Sequence, residues 1–219
     1  ICFISNVDSD GYISADISGL TNTLRFKHKT IVNLPKVTAK YGEEIRGCLI
    51  APDGYELCGS DMSSLEDRLK QHYIYPLDPG YVDEMNVSDY DPHLALALLA
   101  KEVTELEVEE YKSGVSKKIS PIRSIFKNGN YACQYGAGPQ RLSLTANISL
   151  KKAEQVWNTY WEKNWAIKEV AKHQTVKTVR GQMWLLNPIS KYWYSLRYEK
   201  DIFSTLVQGS ASYVFDEWV

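Results

Sequence analysis

The run Gly136-Ala137-Gly138-Pro139 cannot continue a helix, yet it separates two stretches whose apolar residues recur at helical spacing. On its N-terminal side a helix is expected over residues 121–135. On its C-terminal side Ser149 is placed to cap a long amphipathic helix carrying Val156, Trp157, Tyr160, Trp161, Trp165, Ile167 and Val170. Asp91 before Pro92 opens another helix, with the acid as N-cap and the proline in the first helical position. The ends of the chain read differently. The first forty residues are extended with turns. Residues 45–50 and 55–61 flank Pro52-Asp53-Gly54, turn chemistry that predicts a β-hairpin whose second strand ends at Asp61. A helix follows with Leu65, Leu69, His72 and Tyr73 on one face, and then a loop over 76–90. A second hairpin fits residues 179–186 and 192–197 around Asn187-Pro188, with the last helix beginning near Glu199. Strands at both ends of a helical middle predict an α+β fold with a helical insertion.

The chain of 219 residues is 44% hydrophobic and 12% aromatic, enough to bury a core and too aromatic for disorder. It has no apolar run long enough to span a membrane and no basic-then-apolar opening of a secretory signal. Cys2, Cys48, Cys58 and Cys133 lack C-x-x-C spacing and read as reduced intracellular thiols. The chain opens at Ile1 and stops at Val219 inside an uncapped apolar helical pattern, which leads us to expect a piece of a longer protein.

The net charge of −2 conceals a division. Residues 1–40 carry +2, residues 41–110 carry −13, residues 111–200 carry +12 and residues 201–219 carry −3. A segment of +12 suits a polyanionic partner, and it equally suits lysines that solvate helices. Within that segment Arg123, Lys127, Tyr131 and Tyr135 recur every fourth residue, forming a slowly drifting stripe about 18 Å long. Two cations followed by two rings match what a nucleoside triphosphate needs, charge for its phosphates and flat surfaces for its sugar and base. They also match a helix with two solvated cations and two core tyrosines. Asp61, where an expected strand turns into a helix, could face a metal, with Glu66 five residues on.

In combination these segments resemble the family A DNA polymerases, especially those of bacteriophages. Asp61-Met62-Ser63-Ser64-Leu65-Glu66-Asp67-Arg68 is similar to the family's motif A, and Arg123 to Gly136 match its motif B at every defined position. Asp91-Pro92-His93 resembles its D-x-H, Asn33-Leu34-Pro35 its N-[IL]-P, and Gln208-Gly209-Ser210-Ala211 its Q-G-T-A, with Arg46 similar to the arginine preceding motif A. The six elements keep the family's order over nearly the whole chain.

The resemblance implies a partial right-hand fold. Residues 1–75 would be palm, 76–175 a helical fingers insertion and 176–219 the return to the palm, stopping before the family's motif C. It implies transfer of a dNTP to a primer 3′-hydroxyl in DNA replication, with two Mg²⁺ ions (or Mn²⁺) on Asp61 and the carbonyl of Met62. Arg123, Lys127 and His93 would hold phosphates, Lys127 also giving a proton to pyrophosphate. Tyr131 would pack on the deoxyribose, Tyr135 near the templating pair, and Ser63 and Ser64 beside the nucleotide. Glu66, hydrogen-bonded to Tyr135, would exclude a 2′-hydroxyl. Gln208, Arg25, Asn33, Arg68 and Gly136 would face primer-template DNA, Gln208 at the minor-groove acceptors shared by all base pairs. Gly136 and Gly138 would serve as hinges. The implied setting is the cytoplasm of an infected bacterium, with no membrane partner and an unspecified processivity factor.

The sequence departs from the family's pattern at several positions. Arg25 stands two places along from the family's arginine, Asp67 replaces an apolar residue, and Lys200 and Ser204 replace an Arg and an Asn. No His-Asp-Glu follows, so a nearly inactive isolated chain is expected. The alternatives are a single-subunit RNA polymerase, which Glu66 and Tyr131 oppose, and a non-catalytic nucleotide- or DNA-binding module.

Overall fold

The computed structural model describes residues 4–218, so the expectations placed on Cys2 and on the chain's last residue fall outside the described residues. Ten helices and two small antiparallel sheets make up these residues. The organising helix is α6, Ser120–Gln134, with Pro121 in its first turn. Phe126, Gly129, Asn130 and Cys133 form its buried face at the i, i+3, i+4, i+7 spacing. The Arg123, Lys127, Tyr131, Tyr135 stripe starts beside this face at half-buried Arg123 and drifts to exposed Lys127 and Tyr131, with Tyr135 just past the last turn.

Three helices enclose α6: α4 (Pro92–Leu99), α7 (Pro139–Ala146) and α8 (Leu150–Lys163). Asp91 caps α4 as expected, accepting from the amides of His93 and Leu94 at 2.9 and 3.1 Å. Ser149 caps α8 by accepting from the Lys152 amide at 3.3 Å. Gly129 permits close approach, since a Cβ there would lie 2.5 Å from Val156 Cγ1. Phe126, Cys133, Leu142, Ala153, Val156 and Tyr160 are fully buried. Each large side chain among them contributes about 1.5–3 kcal/mol by leaving water.

The two ends of the chain meet beside this body. Helix α2 (Leu65–Ile74) packs against α10 (Ile202–Trp218), and the Tyr73 and Ser210 hydroxyls share a 2.7 Å hydrogen bond. Strands β3 (Val176–Val179), β4 (Gln182–Leu186) and β5 (Trp193–Leu196) form a meander with β4 central, and α10 lies against it. Gly209 makes that contact possible, because a Cβ would sit 2.7 Å from the Tyr194 ring. On the N-terminal side β1 (Ile17–Leu20) pairs with β2 (Phe26–His28). Asn22 Nδ2 then donates to the Ser195 carbonyl at 3.2 Å, tying this hairpin to β5.

Four expectations are corrected. No hairpin spans residues 45–61: helix α1 (Gly42–Gly47) occupies the start, and the remainder lacks strand pairing. The Pro52-Asp53-Gly54 turn does close, Tyr55 N donating to Pro52 O at 3.0 Å. However, Ile50, Tyr55 and Leu57 remain exposed, and two strands with no buried face do not sustain pairing. The loop over 76–90 contains helix α3 (Pro79–Met85), started by Asp78, which accepts from the Tyr81 amide at 3.0 Å, with Pro79 behind it. The long helix after Ser149 is broken at Asn164 into α8 and α9 (Trp165–Lys172). Buried Asn164 donates to Tyr160 O at 2.9 Å and accepts from Lys70 Nζ at 2.6 Å, which fixes the break. Finally, the expected strand 179–186 contains a turn. Arg180 (φ 51°) and Gly181 (φ 78°) form a two-residue left-handed link that adds β3 to the sheet. Helix α5 (Glu105–Lys112) completes the helical layer, with Thr104 in a capping box with Glu107.

Candidate functional site

A cleft of about 540 Å³ opens where β2, the start of α2, the end of α6 and the end of α10 converge. Asp61, Met62, Ser64 and Glu66 line it from the motif A segment, Arg25 from the first hairpin, and Tyr131 and Tyr135 from α6. Ser64 turns the chain into α2 with φ 53°, a left-handed conformation that swings Glu66 toward α6. Tyr135 Oη donates to Glu66 Oε2 at 2.9 Å, and Arg25 reaches Glu66 Oε1 at 3.5 Å. Desolvation, reinforced by the Glu66 carboxylate, raises the Tyr135 pKa, so the phenol remains a donor. Gln208 lies close enough to the Tyr135 phenol to oppose that rise. The Asp61 carboxylate is exposed and has no ion pair or hydrogen bond among the described residues.

A second cavity of about 370 Å³ shares Ser64, Asp67, Tyr131 and Gln134 with the first and adds Arg68, Lys70 and His93. His93 is 8% exposed, accepts from Asn130 Nδ2 at 3.2 Å through Nδ1, and has its ring 5.8 Å from that of Tyr131. Burial pushes its pKa down, against the pull of Asp91 and with the help of Arg123, Lys127 and Lys70. Lys70 is 3% exposed and burial lowers it to about 8. Desolvation raises Asp67, with Lys70 opposing and Glu66 adding to the rise.

The cationic end of α6 is occupied elsewhere. Arg123 Nε lies 2.6 Å from Asp91 Oδ2. Burial alone would raise Asp91, but the Arg123 bond and the two capping amides hold it below the usual carboxylate range. Lys127 is exposed without an ion pair among the described residues. Asn33, Arg123, Lys127 and Gln208 therefore line neither cavity. Asn33 is exposed with φ 53°, and the carbonyls after it, Leu34 and Pro35, are held by Arg46. Arg68 Nε donates to the Ser63 carbonyl at 3.2 Å, bracing the motif A turn. Gly136 adopts φ 74°, and its carbonyl accepts from Lys200 Nζ at 3.4 Å.

Asn130 and Lys70 escaped the sequence reading although each carried a signal. Asn130 interrupts the apolar face of a helix, and Lys70 adjoins Leu69 on the buried side of α2.

Asp61, Glu66, Asp67 and Asp216 set four carboxylates around the cleft against the Arg25 guanidinium and His28. Among the described residues no three His, Cys, Asp or Glu side chains group closely enough to hold a metal ion by themselves. One free carboxylate can supply only a share of a hard cation's shell, with other oxygen ligands and water needed to complete it.

Acid-bearing cleft, tyrosine-bearing helix and joined chain ends together describe a nucleotide-sized site between a sheet-bearing base and a helical insertion. Residues 8–216 match DNA polymerase family A, and the chain belongs to that family. DNA polymerase I of Caldicellulosiruptor bescii is 28% identical over 175 residues, which make up 79% of this chain and 18% of that protein. The polymerase domain of Pol1 from M. smegmatis, solved with DNA primer-template and dNTP, has the same fold, with a TM-score of 0.63 at 21% identity. The match covers 97% of this chain and 38% of that one. The chain thus carries a partial polymerase fold, spanning under a fifth of its curated relative and about two fifths of its solved one. No helix among the described residues is long and apolar enough to cross a membrane.

Proposed function

We propose that this chain supplies the nucleotide-selecting site of a template-directed DNA polymerase. One observation carries the reading: Tyr135 of α6 reaches across the cleft to Glu66 of α2, in the same cleft that holds Asp61. A carboxylate tied in that position fills the space a 2′-hydroxyl would need, and its two oxygens are already engaged by Tyr135 and Arg25, so the obstacle to a ribose is steric. That favours deoxynucleotides over the ribonucleotides of an RNA polymerase. Residues 1–75 and 176–219 form the palm side and 76–175 the fingers side, consistent with the contacts of α2 with α10 and of β1–β2 with β5 through Asn22.

Asp61 with the Met62 carbonyl would hold the divalent ions, Mg²⁺ or Mn²⁺, which when bound neutralise charge on the triphosphate and lower the pKa of the primer hydroxyl. The chain's own groups do the rest. Tyr131 packs against the sugar, and Tyr135 lies near the templating pair. Arg123 leaves Asp91 to fork onto phosphate oxygens, with Lys127 and His93 beside it and Lys127 giving a proton to the departing pyrophosphate. Gln208, Arg25, Asn33, Arg68 and Gly136 follow the primer-template. Ser63 and Ser64 shape the turn that presents Asp61 and Glu66.

The test is incorporation on primed template by the polymerase that carries this chain. Asp61→Asn should cut dNTP incorporation by at least about 10³-fold while the variant still binds nucleotide. Glu66→Ala should raise ribonucleotide use relative to deoxynucleotide by about tenfold or more. Equal use of both sugars by the unaltered enzyme would favour the RNA polymerase reading. Full activity without Asp61 would overturn the site.

A further inference from the structure

His93 sits in the second cavity with one ring nitrogen already engaged. Asn130 Nδ2 approaches His93 Nδ1 at 3.2 Å, and an amide NH₂ can only donate, so Nδ1 must be the acceptor. The ring proton then resides on Nε2, which has no hydrogen bond among the described residues. The next residue of α6, Tyr131, packs its tilted ring against the imidazole at 5.8 Å. Successive residues of one helix therefore grip a side chain of another.

We propose that Asn130 is a positioning residue that locks His93 as its Nε2–H tautomer, offering a ring N–H to a phosphate oxygen of the nucleotide in the 370 Å³ cavity. The assignment rests on the nucleotide reading above for its ligand, but not for its tautomer.

The surroundings support a neutral ring. Asp91 faces it from the cap of α4, Arg123 and Lys127 from α6 and Lys70 from α2, while Asp67 and Arg68 line the same cavity. Burial and the three cations hold its pKa down against Asp91. A neutral imidazole alone could carry its proton on either nitrogen, and only the one on Nε2 leaves a donor for an anion. Asn130 makes that choice. An aspartate in its place would accept from Nδ1–H and reverse it.

Nitrogen-15 labelling of the four histidines (His28, His72, His93, His173), with His93→Gln to assign the signal, reads the tautomer directly. We expect a bare Nδ1 and a protonated Nε2 wherever the ring is neutral, near neutral pH and above. Asn130→Asp should move the proton to Nδ1 and weaken binding of a deoxynucleoside triphosphate about tenfold, the worth of one hydrogen bond to a charged oxygen. A protonated Nδ1 in the unaltered chain overturns the assignment whatever the Asn130 variant does. A tautomer unmoved in folded Asn130→Asp overturns it as well. Addition of the triphosphate should shift Nε2. An unmoved Nε2 with Nδ1 bare supports the tautomer lock and overturns the nucleotide reading of His93, so the two failures are distinguishable.

Discussion

The two ends of α6 carry side chains of the same stripe, but they are wired to different partners. At the N-terminal end Arg123 is clasped by Asp91, which simultaneously caps α4. At the C-terminal end Tyr135 is tied to Glu66 of α2, and both tyrosines are about half exposed in a cleft with Asp61. Between them the inner face is immobilised by Phe126, Gly129, Asn130 and Cys133. A helix so built has one packed fulcrum and two independent outputs. On the proposed function the ring end would meet a sugar and base, whereas the cation end would exchange Asp91 for phosphate when a nucleotide arrives. Selection by sugar and affinity for phosphate should therefore be separable by mutation.

The most damaging way to break that contrast is to remove the fulcrum. Phe126 is fully buried, and Phe126→Ala should cost about 3–5 kcal/mol, read as a lowered urea midpoint, with both ends losing function together. Retained stability would mean that α6 is not held from within.

Next in size is the cation end alone. Arg123→Met should weaken triphosphate binding about tenfold and cost about 1–3 kcal/mol, because Asp91 loses its charge-assisted partner. The sign of the pH dependence follows from Asp91, whose folded pKa is depressed. Its stabilising contribution is present above the unfolded carboxylate pKa of about 4 and is lost as pH falls through the lower folded value. The variant should show a smaller loss across that acid range than the unaltered chain. An identical acid profile would show that Arg123 is not what lowers Asp91.

Much of this helix could be read before any coordinates, because its signals are local. The Gly136 stop, the Asp91 and Ser149 caps and the Asn187-Pro188 turn each act within a few residues, and each falls where expected. The Tyr135–Glu66 hydrogen bond was also anticipated, by resemblance and not by spacing. What failed was tertiary. The 55–61 run has the look of a strand but no surface to cover, while Asn164 ends α8 because Lys70, 94 residues earlier, needs its oxygen. The Arg123–Asp91 pairing was hidden for the same reason. Each residue had a sufficient local explanation, one as a cap and the other as a phosphate ligand, so nothing in the sequence called for their union.

The smallest effect tests the contrast most sharply. Tyr135→Phe removes one hydroxyl from a half-exposed site, so its stability cost should stay below about 1 kcal/mol. Glu66 then retains Arg25 at 3.5 Å and loses the phenol at 2.9 Å that fixes its other oxygen across the cleft. A carboxylate held on one side only sweeps more space and blocks a 2′-hydroxyl less consistently. Ribonucleotide incorporation should rise about threefold to tenfold, short of what Glu66→Ala produces, with triphosphate affinity unchanged. Tyr131→Phe, which leaves the Glu66 bond intact, should not alter 2′-hydroxyl discrimination, and its effect should fall instead on acceptance of dideoxynucleotides. If Tyr135→Phe weakened phosphate binding as much as Arg123→Met does, the two ends of α6 would be acting as one surface and their separate wiring would have no functional meaning.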